Sequence, residues 1–441
     1  MRIAIFTNNY LPNPYGVTRS IETFRREMEK QGNEVFIFAP YWKNYKDVNK
    51  NVFRFPSFDI EIKFRFPLAI PYSWKIDKII KNLDLDVIHA QHPNLLGSVA
   101  MKWAKRKKIP LIFTWHTLYD QYTNFVPFVP AKISAGYIIK KAVKFANLAD
   151  AVIVPTDSII PIIRKWGVKN CHPEFTLPTG RQVSGSKKEM LKQVQHDRIY
   201  AIPTGVLEEE FENPDRNKIR KKYNIKDDET VLFMVSRLTA EKNVEFIFRS
   251  IKNILADSPL EGGLSALNVK FLVVGDGYLR NNLEEYCRRE NISEKIIFCG
   301  EVERQEIKNY FASADIFVYG SKSETQGMII TEAMYMGLPI VAVSATGINS
   351  LVLNNGNGFL VEENSPCGIP LRGSDKVAIP QGEKEFEKAV FKLINDKDLR
   401  KKFGETSARI ARINFTSSIC AEKILKVYNN LIESKKRHYS R

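Results

Sequence analysis

Two kinds of apolar patterning alternate along the first half of the chain. Short continuous runs, RIAIFT, EVFIFAP, DVIHA, PLIFTWHT and AVIVPT, have the length of strands, and stretches such as TRSIETFRREMEKQG between them show the spacing of an amphipathic helix. Continuous apolar runs imply burial on both faces, so their alternation with helices predicts parallel strands covered on both sides. The rhythm restarts after residue 205 with TVLFMVSRL, KFLVVGDG, KIIFCG, DIFVYGS and PIVAVS. The pattern predicts two doubly wound α/β halves, 1–205 and 206–415, followed by a helix over 416–441 that can return to the first half. The boundary falls in IPTGVLEEEFENPDRNK, where Pro, Gly and acidic residues punctuate the pattern. Ligands of such sheets bind beyond the carboxyl ends of the strands, and two facing lobes predict a cleft. Three stretches break the rhythm and read as surface loops or insertions: 170–198, DSPLEGGLSAL and SPCGIPLRGSDKVAIPQGEKE.

Composition changes this picture in one respect. A hydrophobic content of 44% and a charged content of 26% are ordinary for a soluble globular chain of 441 residues, but a net charge of +16 is not. Residues 1–200 carry 31 Lys and Arg against 16 Asp and Glu, whereas residues 201–441 carry 35 against 34. Such asymmetry points to one lobe facing a polyanion, either nucleic acid or an anionic membrane, with a plain solubility charge as the alternative. The basic clusters lack a helix-turn-helix, zinc-finger or RNP pattern, which argues against nucleic acid. The five cysteines are scattered without a C-x-x-C pair, so neither a disulfide framework nor a zinc site is expected, and a reducing cytosol is the simplest home. No apolar run approaches the ~18–20 residues of a spanning helix. MRIAIFTNNYLP reads as a first strand and not as a signal peptide.

Candidate chemistry concentrates in the second half. In VSRLTAEKN a strand ends near Arg237, and Lys242 follows where a helix should begin; two cations there suit an anion such as pyrophosphate. VVGDG adds a glycine turn at Gly275. In SETQGMIITE, Glu324 sits in the loop after the strand DIFVYG and Glu332 on the following helix, whose start holds Gly327, Met328 and Ile329. A carboxylate in the loop can accept from a sugar ring, and one on the helix from the paired hydroxyls of a ribose. His89 and His92, in HAQHP, are expected on opposite faces of a strand with no third ligand, so no metal is expected. Asp84 and Asp86 read as a solvated approach to a strand.

In order and spacing, SRLTAEKN, VGDG, FCGEV, ADIFVYGSKSETQGMIITEAMYMGLPIVA and NGFLV resemble the donor domain of the retaining GT-B glycosyltransferases that carry an E-x7-E motif. TNNYLPNPYGVTRSIETF, DVIHAQHPNLLGSVAMKWAKRKKIPLIFTWHTLYDQY and ADAVIVPT extend the resemblance to the first half. It implies the GT-B fold, two facing Rossmann-like domains with an interdomain cleft, and transfer of a hexose from a nucleotide-sugar without metal or cofactor. It also implies roles: Arg237 and Lys242 neutralise the departing diphosphate, Glu324 contacts the donor sugar and Glu332 the ribose. Gly16 lets the first loop approach the phosphates, and His116 faces the donor sugar. The base, uracil or guanine, stays open.

FTWHTLYDQY, with His116, Tyr119, Asp120 and Tyr122, resembles the branch that glucosylates diacylglycerol, and His92 is placed beside that acceptor pocket. Other branches use phosphatidylinositol, polyprenyl-linked or soluble acceptors. Independently of family, IKFRFP, KWAKRKK (Lys102, Lys105, Arg106, Lys107, Lys108) and AKISAGYIIKKAVKFA (Lys140, Lys141, Lys144) combine cations with aromatic and aliphatic residues. Ile133, Tyr137 and Lys140 or Lys141 recur at helical spacing as an apolar stripe flanked by lysines. These features predict docking on an anionic membrane, and together with the resemblance they imply a peripheral enzyme on the inner face of the plasma membrane, using UDP-glucose and a lipid acceptor.

Overall fold

The computed structural model describes residues 1–13, 16–61, 65–119, 131–170, 198–255, 268–363 and 381–439. Asp120, Tyr122 and, apart from its two ends, the insertion read over 170–198 lie outside the described residues, as does DSPLEGGLSAL. Of the third interrupting stretch, Gln381–Glu385 open a helix and the rest lies outside.

The chain divides into two compact units, one of Met1–Gly205 with Ser417–Arg441 and one of Val206–Thr416. In the first unit, β1 (Arg2–Phe6), α1 (Gly16–Lys30), β2 (Glu34–Pro40) and β3 (Val52–Phe55) precede a hairpin of β4 (Ser57–Glu61) and β5 (Arg65–Ala69). Then follow α2 (Trp74–Asn82), β6 (Val87–Ala90), α3 (Leu96–Lys107), β7 (Leu111–Thr114), α4 (Ala131–Leu148), β8 (Ala151–Val154), α5 (Ile159–Lys165) and β9 (Ile199–Ala201). The second unit begins with α6 (Arg216–Lys222), β10 (Thr230–Val235), α7 (Val244–Leu255), β11 (Val269–Val274), α8 (Arg280–Arg289), β12 (Ile296–Gly300) and α9 (Ile307–Ser313). It continues with β13 (Ile316–Tyr319), α10 (Met328–Tyr335), β14 (Ile340–Val343), β15 (Gly358–Val361), α11 (Gln381–Asn395) and α12 (Lys397–Asn414). Helix α13 (Ser417–Tyr439) returns to the first unit and packs on α1.

The first sheet has the order β3-β2-β1-β6-β7-β8-β9 and the second β12-β11-β10-β13-β14-β15, each parallel throughout. Burial explains why the strand runs are apolar without alternation. Along β1, Ala4 and Phe6 join one core layer while Ile3 and Ile5 join the opposite one. Along β10, Leu232 and Met234 face one layer and Val231 and Phe233 the other. Both faces of each sheet are thus dry, as parallel sheets require.

The apolar rhythm missed four features. Strands β3, β9 and β15 are short and lie at sheet edges, where fewer buried side chains are needed. The β4–β5 hairpin is antiparallel, and Phe58 on it is half-exposed, so β4 does not read as a buried run. IKFRFP, read as a basic membrane-facing stretch, belongs in part to β5 of this hairpin. Asp86 is not simply solvated: its carboxylate accepts from the Arg2 amide at 2.7 Å and anchors the start of β1.

A buried polar link helps to fasten the returning α13, beside the Lys435–Asp150 ion pair at 2.9 Å. His89 on β6 meets the Tyr428 hydroxyl at 2.6 Å through Nδ1 and the Thr114 hydroxyl at 2.6 Å through Nε2, and one neutral tautomer satisfies both contacts. Burial pushes the His89 pKa down to about 3. Replacing Tyr428 by Phe orphans one ring nitrogen, and denaturant titration should show a loss of about 1–3 kcal/mol. The sign of the pH effect follows from the depressed value. The unfolded chain takes up the proton first, so the contribution of His89 is complete above about pH 6.5 and lost as pH falls, by about 2 kcal/mol at pH 5. Unfolding midpoints of the first unit at pH 7 and pH 5 check this.

Candidate functional site

In the second unit β10 and β13 are neighbours, and the strand order runs outward from them in both directions. Their carboxyl ends therefore flank the switch point of the sheet, where open parallel sheets hold ligands. The loop after β10 carries Arg237 and Lys242, and the loop after β13 carries Glu324. Lys242 ends a 3-10 turn, Ala240–Lys242, and its Nζ donates to Glu324 Oε1 at 2.6 Å. The Tyr319 hydroxyl, at the end of β13, donates to the same oxygen at 2.7 Å. Burial would raise the Glu324 carboxyl, but the Lys242 ammonium and the Tyr319 hydroxyl outweigh it and hold the pKa below the ordinary range. Burial, then the Glu324 charge, pushes the Tyr319 hydroxyl well up, so it stays a donor.

The loops around this pair press together backbone to backbone. Gly275 has φ +117°, and a Cβ there would lie 2.0 Å from the Ser236 carbonyl oxygen, so the glycine turn after β11 closes on the β10 loop. The Gly347 amide donates to the Glu324 carbonyl at 2.9 Å, and a Cβ on Gly347 would meet Thr325 at 2.5 Å. Glu363, just past β15, accepts from Asn243 Nδ2 at 2.6 Å and from Lys322 Nζ at 2.7 Å, bracing the residues beside Lys242 and Glu324. Gly327, with φ +70°, precedes α10, whose first residues are Met328 and Ile329.

Glu332 lies in the middle of α10 and is buried. Its two oxygens take the fork of Arg304 at 2.9 and 3.0 Å. Arg237 is half-exposed and pairs with Glu241 at 3.2 Å. The structure thus joins Lys242 to Glu324 directly, and gives Glu332 and Arg237 partners of their own.

The first unit repeats the arrangement at β1 and β6. After β1, Asn8 Oδ1 accepts from the Leu96 amide at 3.1 Å and caps α3, while the Asn8 amide donates to His92 Nδ1 at 3.1 Å. His92 therefore sits in the loop beyond β6 and not on the strand, which corrects the expected opposite-face arrangement with His89. His116 lies past the end of β7, and its Nε2 meets Gln91 Oε1 at 2.6 Å. Burial, then His92 and His89, pushes the His116 pKa down to about 3, and burial takes His92 down to about 4. Tyr119 packs edge-on against Trp115, and its hydroxyl is raised by burial. Gly16 is the exposed first residue of α1.

The basic residues divide. Lys102 pairs with Asp77 at 3.1 Å and Lys107 donates to the Lys81 and Leu83 carbonyls at the end of α2, so both are engaged within the unit. Lys105, Arg106 and Lys108 are exposed. On α4 the stripe that meets the core is Ala135, Ala142, Phe145 and Ala146. Tyr137 instead lies on the outer side with Lys140, Lys141 and Lys144, and Lys141 Nζ stands 4.6 Å from its ring centre.

Sequence reasoning did not single out Tyr319, Arg304, Glu363, Asn243, Gly347 or Gln91. A polar group closing the apolar run DIFVY was a signal for Tyr319; the others announce themselves only through contacts made across the fold.

The folded chain is similar over 98% of its length to the whole of the Anabaena protein HepE solved with UDP and glucose, at TM-score 0.68 and 17% identity. Two parallel-sheet units of this kind define a GT-B glycosyltransferase. Residues 215–369 match the family model for glycosyl transferases group 1, and residues 14–175 match that for glycosyltransferase family 4. The chain is 30% identical to the alpha-monoglucosyldiacylglycerol synthase of Streptococcus pneumoniae, over 82% of this chain and 75% of that one. It is 26% identical to the Acholeplasma laidlawii synthase of the same name, over 82% and 85%. The chain belongs to the group 1 glycosyl transferases.

Removal of the Tyr319 hydroxyl tests the site. Tyr319→Phe leaves the ring in the core but takes one donor from a buried carboxylate, and kcat for sugar transfer should fall about tenfold or more. Steady-state kinetics beside a thermal melt check that the loss is in turnover and not in folding.

Proposed function

We propose that this glycosyltransferase moves glucose from UDP-glucose to a diacylglycerol-type lipid, with retention of configuration, at the cytoplasmic face of the plasma membrane. The observation that carries the reading is the Lys242–Glu324 pair at the switch point of the second sheet. An ammonium has three protons to donate, so a lysine that orients Glu324 can also meet a phosphate oxygen. With Arg237 on the same loop, it neutralises the charge that develops on a departing nucleoside diphosphate. Glu324 then accepts from hydroxyls of the hexose, Glu332 from the ribose, and the backbone at Gly275, Gly327, Met328 and Ile329 lines the donor. His92, His116 and Tyr119 take the acceptor side; both imidazoles are neutral at physiological pH, so each can donate or accept a hydrogen bond without adding charge.

Similarity to two alpha-monoglucosyldiacylglycerol synthases favours glucose and a lipid acceptor. The outer side of α4 supports the membrane: Tyr137 is 60% exposed amid Lys140, Lys141 and Lys144, and Lys105, Arg106 and Lys108 extend the charge at the end of α3. Each cation near anionic lipid contributes about 1 kcal/mol, so the three α4 lysines account for about a hundredfold in binding. No helix among the described residues is long and apolar enough to cross a membrane.

Purified protein given labelled UDP-glucose and diacylglycerol in anionic vesicles should produce labelled glycolipid, and NMR of the product should show the α anomer. Absence of labelled lipid with every nucleotide-sugar tried would sink the reading, and activity indifferent to anionic lipid would point to a soluble acceptor. Changing Lys140, Lys141 and Lys144 together to Gln should lower vesicle co-sedimentation about ten- to a hundredfold while leaving UDP affinity unchanged.

A further inference from the structure

Arg304 makes three different contacts at once. Its Nη1 and Nη2 fork onto the two oxygens of Glu332 at 3.0 and 2.9 Å, its Nε donates to Glu210 at 2.7 Å, and its guanidinium carbon lies 5.1 Å from the centre of the Phe211 ring. Glu210 and Phe211 belong to a 3-10 turn, Glu208–Phe211, that comes directly after the chain has left the first unit at Gly205. Arg304 itself opens another short turn, Arg304–Glu306, after β12. The Glu332 side chain is almost wholly buried.

A buried carboxylate needs a partner, but a point charge would meet that need. The fork does more, since two parallel bonds fix the plane of the carboxylate and the direction of its lone pairs. An ionised carboxylate has about four acceptor positions, so the fork does not saturate it. Recognition of two neighbouring hydroxyls demands this kind of fixed direction.

We propose that Arg304 is the positioning residue for the donor's pentose: it sets the orientation of Glu332 toward the ribose hydroxyls, and Glu210 holds Arg304 in place. The inference rests on the assignment of Glu332 to the ribose. It makes pentose recognition depend on Glu210, on a turn next to the crossing between units.

The test uses the full-length protein and calorimetric binding of UDP and GDP beside their 2′-deoxy and 3′-deoxy counterparts. Wild-type protein should prefer the ribose form of its nucleotide by about ten- to a hundredfold, the effect of one hydrogen bond to a charged acceptor. E332Q should lose most of this preference. R304K keeps the charge but not the fork, and E210Q replaces the carboxylate that holds the guanidinium Nε with a neutral, weaker acceptor; both should reduce the preference to within about threefold of the E332Q value, with little change in the melting midpoint. A general loss of packing would weaken ribose and deoxyribose forms alike and leave their ratio standing. If E332Q abolishes the preference while R304K and E210Q keep it, Arg304 is a stability ion pair and the proposal falls. If E332Q keeps the preference, or wild type shows none, the ribose assignment itself falls and takes the proposal with it.

Discussion

The second unit is organised around the cost of keeping a carboxylate away from water. Glu324 is largely buried, and an uncompensated charge in that position would cost several kcal/mol or be neutralised by a proton. Lys242 and Tyr319 remove the penalty, but only while the loops after β10 and β13 keep their spacing. Each loop therefore depends on the other, and Glu363 repeats the dependence one layer out through Asn243 and Lys322. Glycines at 275 and 347 let the backbones come close enough for these bonds to be short. The polar groups are thus held before any ligand arrives, so little of the binding energy is spent on arranging them.

The first unit adds neutral polar groups to ion pairs such as Arg25–Glu22 and Arg54–Asp47. Its interior imidazoles are kept neutral by burial, and the buried contact of His89 with Tyr428 of α13 is between uncharged groups. Arg198 is buried, and its guanidinium donates to the Ala146 and Ala149 carbonyls at the end of α4, to the Lys169 carbonyl and to Asn147. A helix carboxyl end carries partial negative charge, which suits a guanidinium there. Most other described basic side chains of α3 and α4 lie outside, so their share of the excess positive charge is at the surface.

Much of this was legible in the chain because parallel strands buried on both faces write themselves as unbroken apolar runs, and the central strands of both sheets were found that way. The edge strand β12 was found as KIIFCG, but the edge strands β3, β9 and β15 and the β4–β5 hairpin were not. For the site, strand-loop-helix context was enough to single out Lys242 and Glu324, whose carboxylate and ammonium meet in the fold. Their supports were not readable. Arg304 reaches Glu332 across 28 positions and Glu363 reaches Asn243 across 120, distances over which local spacing carries no information. The α4 lysines illustrate the same limit on a smaller scale: a stripe at helical spacing was visible, but which side it took was decided by the sheet beneath, which selected alanines and Phe145.

The return of α13 bears on how the protein is made. A chain emerging from the ribosome amino end first exposes all the strands of the first sheet long before residue 428 is available, and domains generally fold as they emerge. Until Tyr428 arrives, His89 lacks one partner and the core layer that Cys420, Ala421 and Ile424 complete stands open. The amino-terminal unit must wait, partly dressed, while its neighbour is synthesised. Its last step of assembly therefore follows synthesis of the second unit, and a nascent chain stalled within that unit would leave an apolar face for a chaperone to cover.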